Sequence, residues 1–458
     1  FGDGPQPCVS LEVLRRLPAL LEHGRPLRLT VFDDEVLGIE DAGKRGQLAL
    51  GVAIDVGTTT VVVRLLDLVT GEQLALAGTR NKQASQGANV ISRIALGSTP
   101  RGLDLLQELV VKKTILPLIE KCMAQANLHG VPIRRAAVGG NTCMVHLLLG
   151  LSPKGLGTVP FNAVSLAPAP VPGAALGLPV ERVECIPAAG GYIGGDVVGG
   201  MYVVGLDREG PPEMLIDVGT NSEILLRVGG QLYGASAAAG PAFEGGGLAS
   251  GGPATANAIA HLRYTGKGFT HETCGKAAPT HVCGSAYVDF LAEGRKHGFL
   301  LEHGRFAPEF PYAEQFKQPA ENGQKARVGR RCHVAKGVTI DDHDVSLLLQ
   351  AKAATLAGAL ILLRKAGVTP QDLHALHVAG GFGRHLDPAH ALRIGLLPPV
   401  PLERIKVAGN TSLAAASSTL LNAHATQEIR ALARRVQVVE LNLEPDFQDC
   451  FINALSMP

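Results

Sequence analysis

Ile54-Asp55-Val56-Gly57-Thr58 and Ile216-Asp217-Val218-Gly219-Thr220 are the same five residues, written twice in one chain. Both copies follow apolar residues and lead into another apolar run, 61–66 after the first and 224–228 after the second. Each reads as strand, tight turn, strand. A second repeat, Gly-Asn-Thr at 140–142 and 409–411, follows the apolar stretches 136–138 and 405–408 and opens segments rich in small residues. Two repeats in matching contexts imply a duplicated architecture. The expected fold class is α/β, with two lobes that each bury a mixed sheet between helices.

Working outward, the 458 residues suffice for two or three domains with full cores. Apolar residues make up 46%, charged residues 18%, and there are 56 glycines and no tryptophan, a composition of packed α/β proteins. A formal net charge of +1 gives no global attraction to nucleic acid or to an acidic membrane. The longest apolar stretch, 345–363, is interrupted by Gln350 and Lys352, which favours a buried helix over a membrane span. That helix is expected from Asp341 to about Ala366, with Gly367 as its stop. None of the eight cysteines forms a Cys-x-x-Cys pair, so no zinc ribbon or iron–sulfur cradle is visible, and free thiols in a reducing cytoplasm are expected.

Residues 1–48 carry a short helical pattern at 11–21, an apolar strand at 27–32 and a charged turn at 40–45. They read as the end of a preceding domain plus a linker. The chain begins with Phe, without a basic-then-apolar leader, and is expected to be a fragment. The expected divisions are lobe I at 49–205 with a first connecting helix, lobe II at 206–406, and a second connecting helix with a C-terminal segment at 407–458. Residues 165–180, rich in Pro, Ala and Gly, read as a surface excursion, and the polar span 301–328 as an insertion or long connection.

The turns carry the chemistry. An Asp at the end of a buried strand can hold Mg²⁺, a glycine lets backbone N–H groups approach phosphate, and threonine hydroxyls add donors. Asp55, Gly57, Thr58, Thr59 and Thr60 form one such set, and Asp217, Gly219, Thr220 and Asn221 the other. A single Asp-x-Gly-Thr is also an ordinary hairpin turn; its duplication is what points to a polyphosphate gripped from two sides. Gly380, Gly381 and Gly383 follow an apolar strand and offer bare backbone to a flat base and ribose. They lack the helix and acidic partner of a dinucleotide fingerprint, and no Gly-x4-Gly-Lys-Ser/Thr P-loop occurs. Asp196, after the glycine-rich run 190–195, could accept a proton from an attacking water or hydroxyl. An N-cap aspartate is the structural alternative. Glu244, in the glycine-rich turn 239–247, is a candidate for ribose or metal, with a structural loop as its alternative.

The order of these elements resembles the superfamily of actin, sugar kinases and chaperone ATPases. That resemblance implies two ribonuclease-H-like lobes with ATP in the cleft. Asn89-Val90-Ile91-Ser92-Arg93-Ile94, Gly140-Asn141-Thr142, residues 217–224 and 239–245, Cys283-Gly284-Ser285, residues 379–383 and Arg393-Ile394-Gly395-Leu396 resemble, more narrowly, the reductive activators of corrinoid proteins. The narrower resemblance covers residue 51 to the C-terminus. It implies an ATPase that uses ATP, with Mg²⁺, to drive reduction of a corrinoid partner from Co(II) to Co(I). The electron would come from an iron–sulfur domain, a [2Fe-2S] module in many members. The implied partner is a corrinoid (cobalamin-binding) protein of a methyltransferase system, and a homodimer is the assembly to test. Two departures stand out: the iron–sulfur cysteine cluster is absent, and Asn89 stands where an acidic residue is expected. Residues 1–48 resemble only the end of the family's middle domain. The alternatives are a small-molecule (sugar or acid) kinase with Asp196 as base, and a non-catalytic nucleotide switch.

Overall fold

The computed structural model describes every residue except 1–7, 10, 23, 25, 33–34, 43–47, 88, 319–326 and 382–384. The chain divides into two compact units, Phe1–Gly199 with Ser412–Arg434, and Gly200–Thr411 with Arg435–Pro458.

Unit 1 is built on a six-stranded sheet. The strands Leu50–Val56, Thr60–Asp67 and Gln73–Arg80 form an antiparallel meander. Leu50–Val56 then pairs in parallel with Ile133–Gly140, and that strand pairs in parallel with Val180–Cys185. The central strand is apolar almost throughout because both of its faces are covered: Leu50, Val52, Ile54 and Val56 on one face and Ala53 on the other are all fully enclosed. Val171–Pro172 adds a short antiparallel edge within the span expected to be irregular.

Unit 2 repeats this order. Glu213–Val218, Ser222–Val228 and Gln231–Ala237 form the meander, and Glu213–Val218 pairs in parallel with Ala375–Ala379, which pairs in parallel with Ile405–Gly409. Numbered along each chain segment, both five-strand sets run 3-2-1-4-5. The duplication therefore extends from the pentapeptides to whole sheets.

Helix Asp342–Lys365 packs within unit 2, capped by Asp341, whose carboxylate accepts from the N–H groups of His343 and Asp344. It is long and apolar enough to cross a membrane, yet 72% of its most apolar window is buried inside the protein. Gly367, at φ +70°, ends it in the left-handed region that glycine favours. Residues 301–328 are not irregular throughout: Ala313–Gln318 pairs antiparallel with Arg327–Ala335. In the N-terminal segment, Glu40 lies in the strand Glu35–Asp41 rather than in a turn, while 43–47 fall outside the described residues. The Arg135 guanidinium stacks 3.6 Å over the Phe32 ring and pairs with Glu184 at 2.8 Å, fastening that segment to the unit 1 sheet.

Candidate active site

In unit 1, parallel pairing sets Asp55 opposite Gly139 and Val56 opposite Gly140. These glycines are required by close approach. A Cβ on Gly139 would lie 2.4 Å from the Ser412 hydroxyl, and one on Gly140 would lie 2.9 Å from the Val56 carbonyl. With that space open, Ser412 Oγ donates to Asp55 Oδ1 at 2.8 Å from the first turn of helix Thr411–Leu421. The turn that follows closes through Gly57 N–H to Thr60 O at 3.0 Å. Thr58 is buried, and its hydroxyl accepts from Asn141 Nδ2 at 3.1 Å; Asn141 also caps helix Thr142–Leu149.

Asp196 lies in the same unit, one residue inside helix Gly195–Val203, so it is not the N-cap. Its Oδ1 accepts from the Val197 N–H at 2.9 Å. The carboxyl is crowded by protein yet not sealed, since the residue keeps a half-buried surface. Desolvation pushes its pKa up to about 7; the Asp55 charge adds to the rise, and the Val197 hydrogen bond opposes it. A carboxylate that titrates near neutral pH and remains reachable by solvent suits a general base. The small residues of its helix serve a close crossing: a Cβ on Gly199 would lie 2.5 Å from the Ala415 methyl.

In unit 2, Asp217 pairs with Ala379 across the parallel strands, which brings the second turn and the Gly380 turn together at the same sheet end. Ligands of parallel α/β sheets bind at this end. Gly380 sits at φ +98°, and a Cβ there would lie 2.7 Å from Asp217 Oδ1 and 2.6 Å from the Val218 carbonyl. Gly381 has open space around it, and Gly383 lies outside the described residues. Gly219 N–H bonds Asn221 O at 3.0 Å, and Thr220 Oγ1 donates to Glu244 Oε2 at 2.6 Å. Glu244 is thus brought to the Asp217 turn. Gly380→Ala is expected to lower stability by about 1–3 kcal/mol through forced left-handed backbone and collision with the carboxylate. Gly381→Ala should melt like the parent; equal melting of both variants would contradict the packing.

Unit 2 also holds a cavity of about 520 Å³, lined by His261, Asp289 and His390 among others. Asp289 is enclosed and accepts from His390 Nδ1 at 2.7 Å, His261 Nδ1 at 3.2 Å and the Leu262 N–H at 3.1 Å. The Asp289 carboxylate raises the His390 imidazole above its ordinary value. His390 lies on helix Pro388–Arg393. Sequence reading missed these residues. Asp289 and Glu293, four apart in the buried stretch Gly284–Gly294 of one helix, were the available signal. Among the described residues, no group of three or more His, Cys, Asp or Glu is arranged to hold a metal ion.

Duplicated sheets of this order, each carrying an Asp-Val-Gly-Thr turn, define the class as an ASKHA domain, the fold of sugar kinases and actin-like ATPases. Residues 212–458 match the family described as the C-terminal domain of RACo, the ASKHA domain, and residues 50–209 match the RACo middle region. The chain belongs to the RACo family. Residues 1–48 lie outside both matches.

The chain is 30% identical to the corrinoid activation enzyme RamQ of Eubacterium limosum, over 94% of this chain and 74% of that protein. It is 25% identical to the [Co(II) methylated amine-specific corrinoid protein] reductase of Methanosarcina barkeri, over 84% of this chain and 72% of that one. The solved structure of a reductive activator for corrinoid, iron-sulfur protein superposes with a TM-score of 0.89 and 31% identity, covering 98% of this chain and 73% of the other.

Proposed function

We propose that this chain is an ATP-dependent reductive activator of a corrinoid protein, coupling ATP hydrolysis to reduction of Co(II) to Co(I). The observation that carries the reading is a likeness spread over 98% of the chain, in sequence and in structure, to a protein named for that activity. The kinase alternative has only distant likeness and no residue-level observation in its favour.

In this reading Asp55 and Asp217 hold Mg²⁺, directly or through water. Gly57, Thr58, Thr59 and Thr60, with Gly219, Thr220 and Asn221, bind phosphate oxygens. Gly380, Gly381 and Gly383 would face the adenosine. Glu244, which accepts from Thr220 Oγ1, would take a water on the metal or a ribose hydroxyl in this reading. Water attacks the γ-phosphorus, its proton passes to the Asp196 carboxylate, and the bond to ADP breaks.

Hydrolysis cannot alter the electron's chemistry, so its free energy must act through conformation. It does so by favouring a state with different contacts to the corrinoid protein. The electron would come from an iron–sulfur centre, a [2Fe-2S] cluster in this reading, for which the described residues of this chain offer no ligand set, and the partner would belong to a methyltransferase system. A homodimer is the assembly to check by mass measurement in solution. The test is spectroscopic. With a strong low-potential reductant and the Co(II) corrinoid protein, Co(I) should accumulate with MgATP and not without it. Equal Co(I) formation under both conditions would refute the reading.

A further inference from the structure

The Gly57–Thr59 turn is held from beneath by three side chains to which the catalytic roles above assign nothing. Asn81 and Gln83 stand at the start of the short 3-10 helix Lys82–Ser85, and Arg93 lies on helix Val90–Gly97. All three are fully buried. Together they engage every carbonyl of the turn. Asn81 Nδ2 donates to Gly57 O at 2.9 Å, Arg93 Nη2 to Thr58 O at 2.6 Å, and the Asn81 backbone N–H to Thr59 O at 2.8 Å. Gln83 links the other two: its N–H donates to Asn81 Oδ1 at 3.0 Å, and its Oε1 accepts from Arg93 Nη1 at 3.2 Å. Arg93 Nε is anchored on the Gly87 carbonyl at 3.0 Å. Gly87 is needed for that approach, because a Cβ there would lie 3.1 Å from Arg93 Cγ and 2.7 Å from Ser92 Oγ.

In a trans peptide the carbonyl and the following N–H point in opposite directions. Drawing the carbonyls of Gly57, Thr58 and Thr59 inward therefore turns the N–H groups of Thr58, Thr59 and Thr60 outward. Successive amides facing one way form an anion-binding nest. Burying a guanidinium and two carboxamides is costly unless each finds partners; Asn81 and Arg93 find theirs in part on the carbonyls of the turn, and the Gln83 amide donates to the Leu106 carbonyl at 2.8 Å. Helix Val90–Gly97 thereby gains a purpose beyond packing.

We infer that Asn81, Gln83 and Arg93 are positioning residues that set the amide donors of the first turn for the phosphates of ATP. The inference rests on the nucleotide reading above. It is tested with the full chain and its Arg93→Met, Arg93→Lys and Asn81→Asp variants, measuring kcat and KM for MgATP together with thermal melting. In Arg93→Met and Asn81→Asp, KM should rise about tenfold or more, the scale of a lost hydrogen-bonded donor to a charged group. Their kcat should stay within about threefold, whereas partial unfolding would lower kcat without moving KM. Arg93→Lys reaches one carbonyl where Arg grips several, and should fall between parent and Arg93→Met. If Arg93→Met does not fold, Asn81→Asp and Arg93→Lys carry the test. A folded variant with parental KM, or one that loses kcat alone, overturns the inference. A parent chain that binds no MgATP removes instead the nucleotide reading on which it rests.

Discussion

Asp196→Asn is expected to bind MgATP like the parent and to turn it over roughly 10²–10⁴-fold more slowly, the span covered by loss of a general base. Asparagine keeps the shape and can still accept the Val197 N–H, so the helix start is preserved. What disappears is the proton acceptor. In the parent this carboxyl titrates at about 7, and only its ionised form can take a proton from water. The parent kcat/KM for MgATP should therefore fall about tenfold per pH unit below that value and level off above it. The variant's residual rate should be flat across the same range.

Stability moves the other way. The folded protein favours the neutral carboxyl, so this group's stabilising contribution is full below the ordinary carboxylate value of 3.8 and is lost as pH rises through about 7. At pH about 8, Asp196→Asn should thus be more stable than the parent by on the order of 2 kcal/mol, the full shift being discounted for residual solvent contact. The gap should close as pH falls toward 4. Kinetics and melting across pH check both halves. A variant that loses nucleotide binding with activity, or one no more stable at alkaline pH, would remove Asp196 from the role of base.

Asp55→Asn and Asp217→Asn should instead abolish the Mg²⁺ dependence of ATP binding, weakening MgATP about 100-fold or more, since a hard cation needs anionic oxygen at each fixed position. Calorimetric titration with MgATP and with ATP plus chelator separates the effects. The parent should distinguish the two ligands strongly, and each variant should not. Asp55→Asn has a second signature. The Asp55 charge helps raise the Asp196 carboxyl, so its removal should shift any residual pH–rate profile toward acid. Retention of Mg²⁺-dependent binding in both variants would contradict the metal assignment.

The duplication was legible because two identical backbone demands wrote two identical pentapeptides, and the sheets follow the same order in both units. The long helix and its stop were legible from a largely apolar stretch, interrupted by Gln350 and Lys352 and ended by a glycine. Asp196 could be singled out by the glycine run before it, but its exact place inside the helix could not. The remainder of the site depends on partners distant in the chain. Ser412 reaches Asp55 across 357 positions, Asp289 reaches His390 across 101, and Arg93 reaches the Thr58 carbonyl across 35. No local pattern encodes such contacts. Arg93 looked like part of a family signature, and only packing shows what it holds. Gly380 and Gly381 likewise read as equals, although only Gly380 is crowded by the Asp217 carboxylate.

Coupling is read out by following ATP consumption and Co(I) formation in one cuvette as the Co(II) corrinoid protein is titrated in under strong reductant. The account predicts that ATP turnover rises saturably with the corrinoid protein, that Co(I) appears in step with it, and that both signals vanish in Asp196→Asn. ATP turnover indifferent to the corrinoid protein, or Co(I) formed at the same rate by Asp196→Asn, would contradict it.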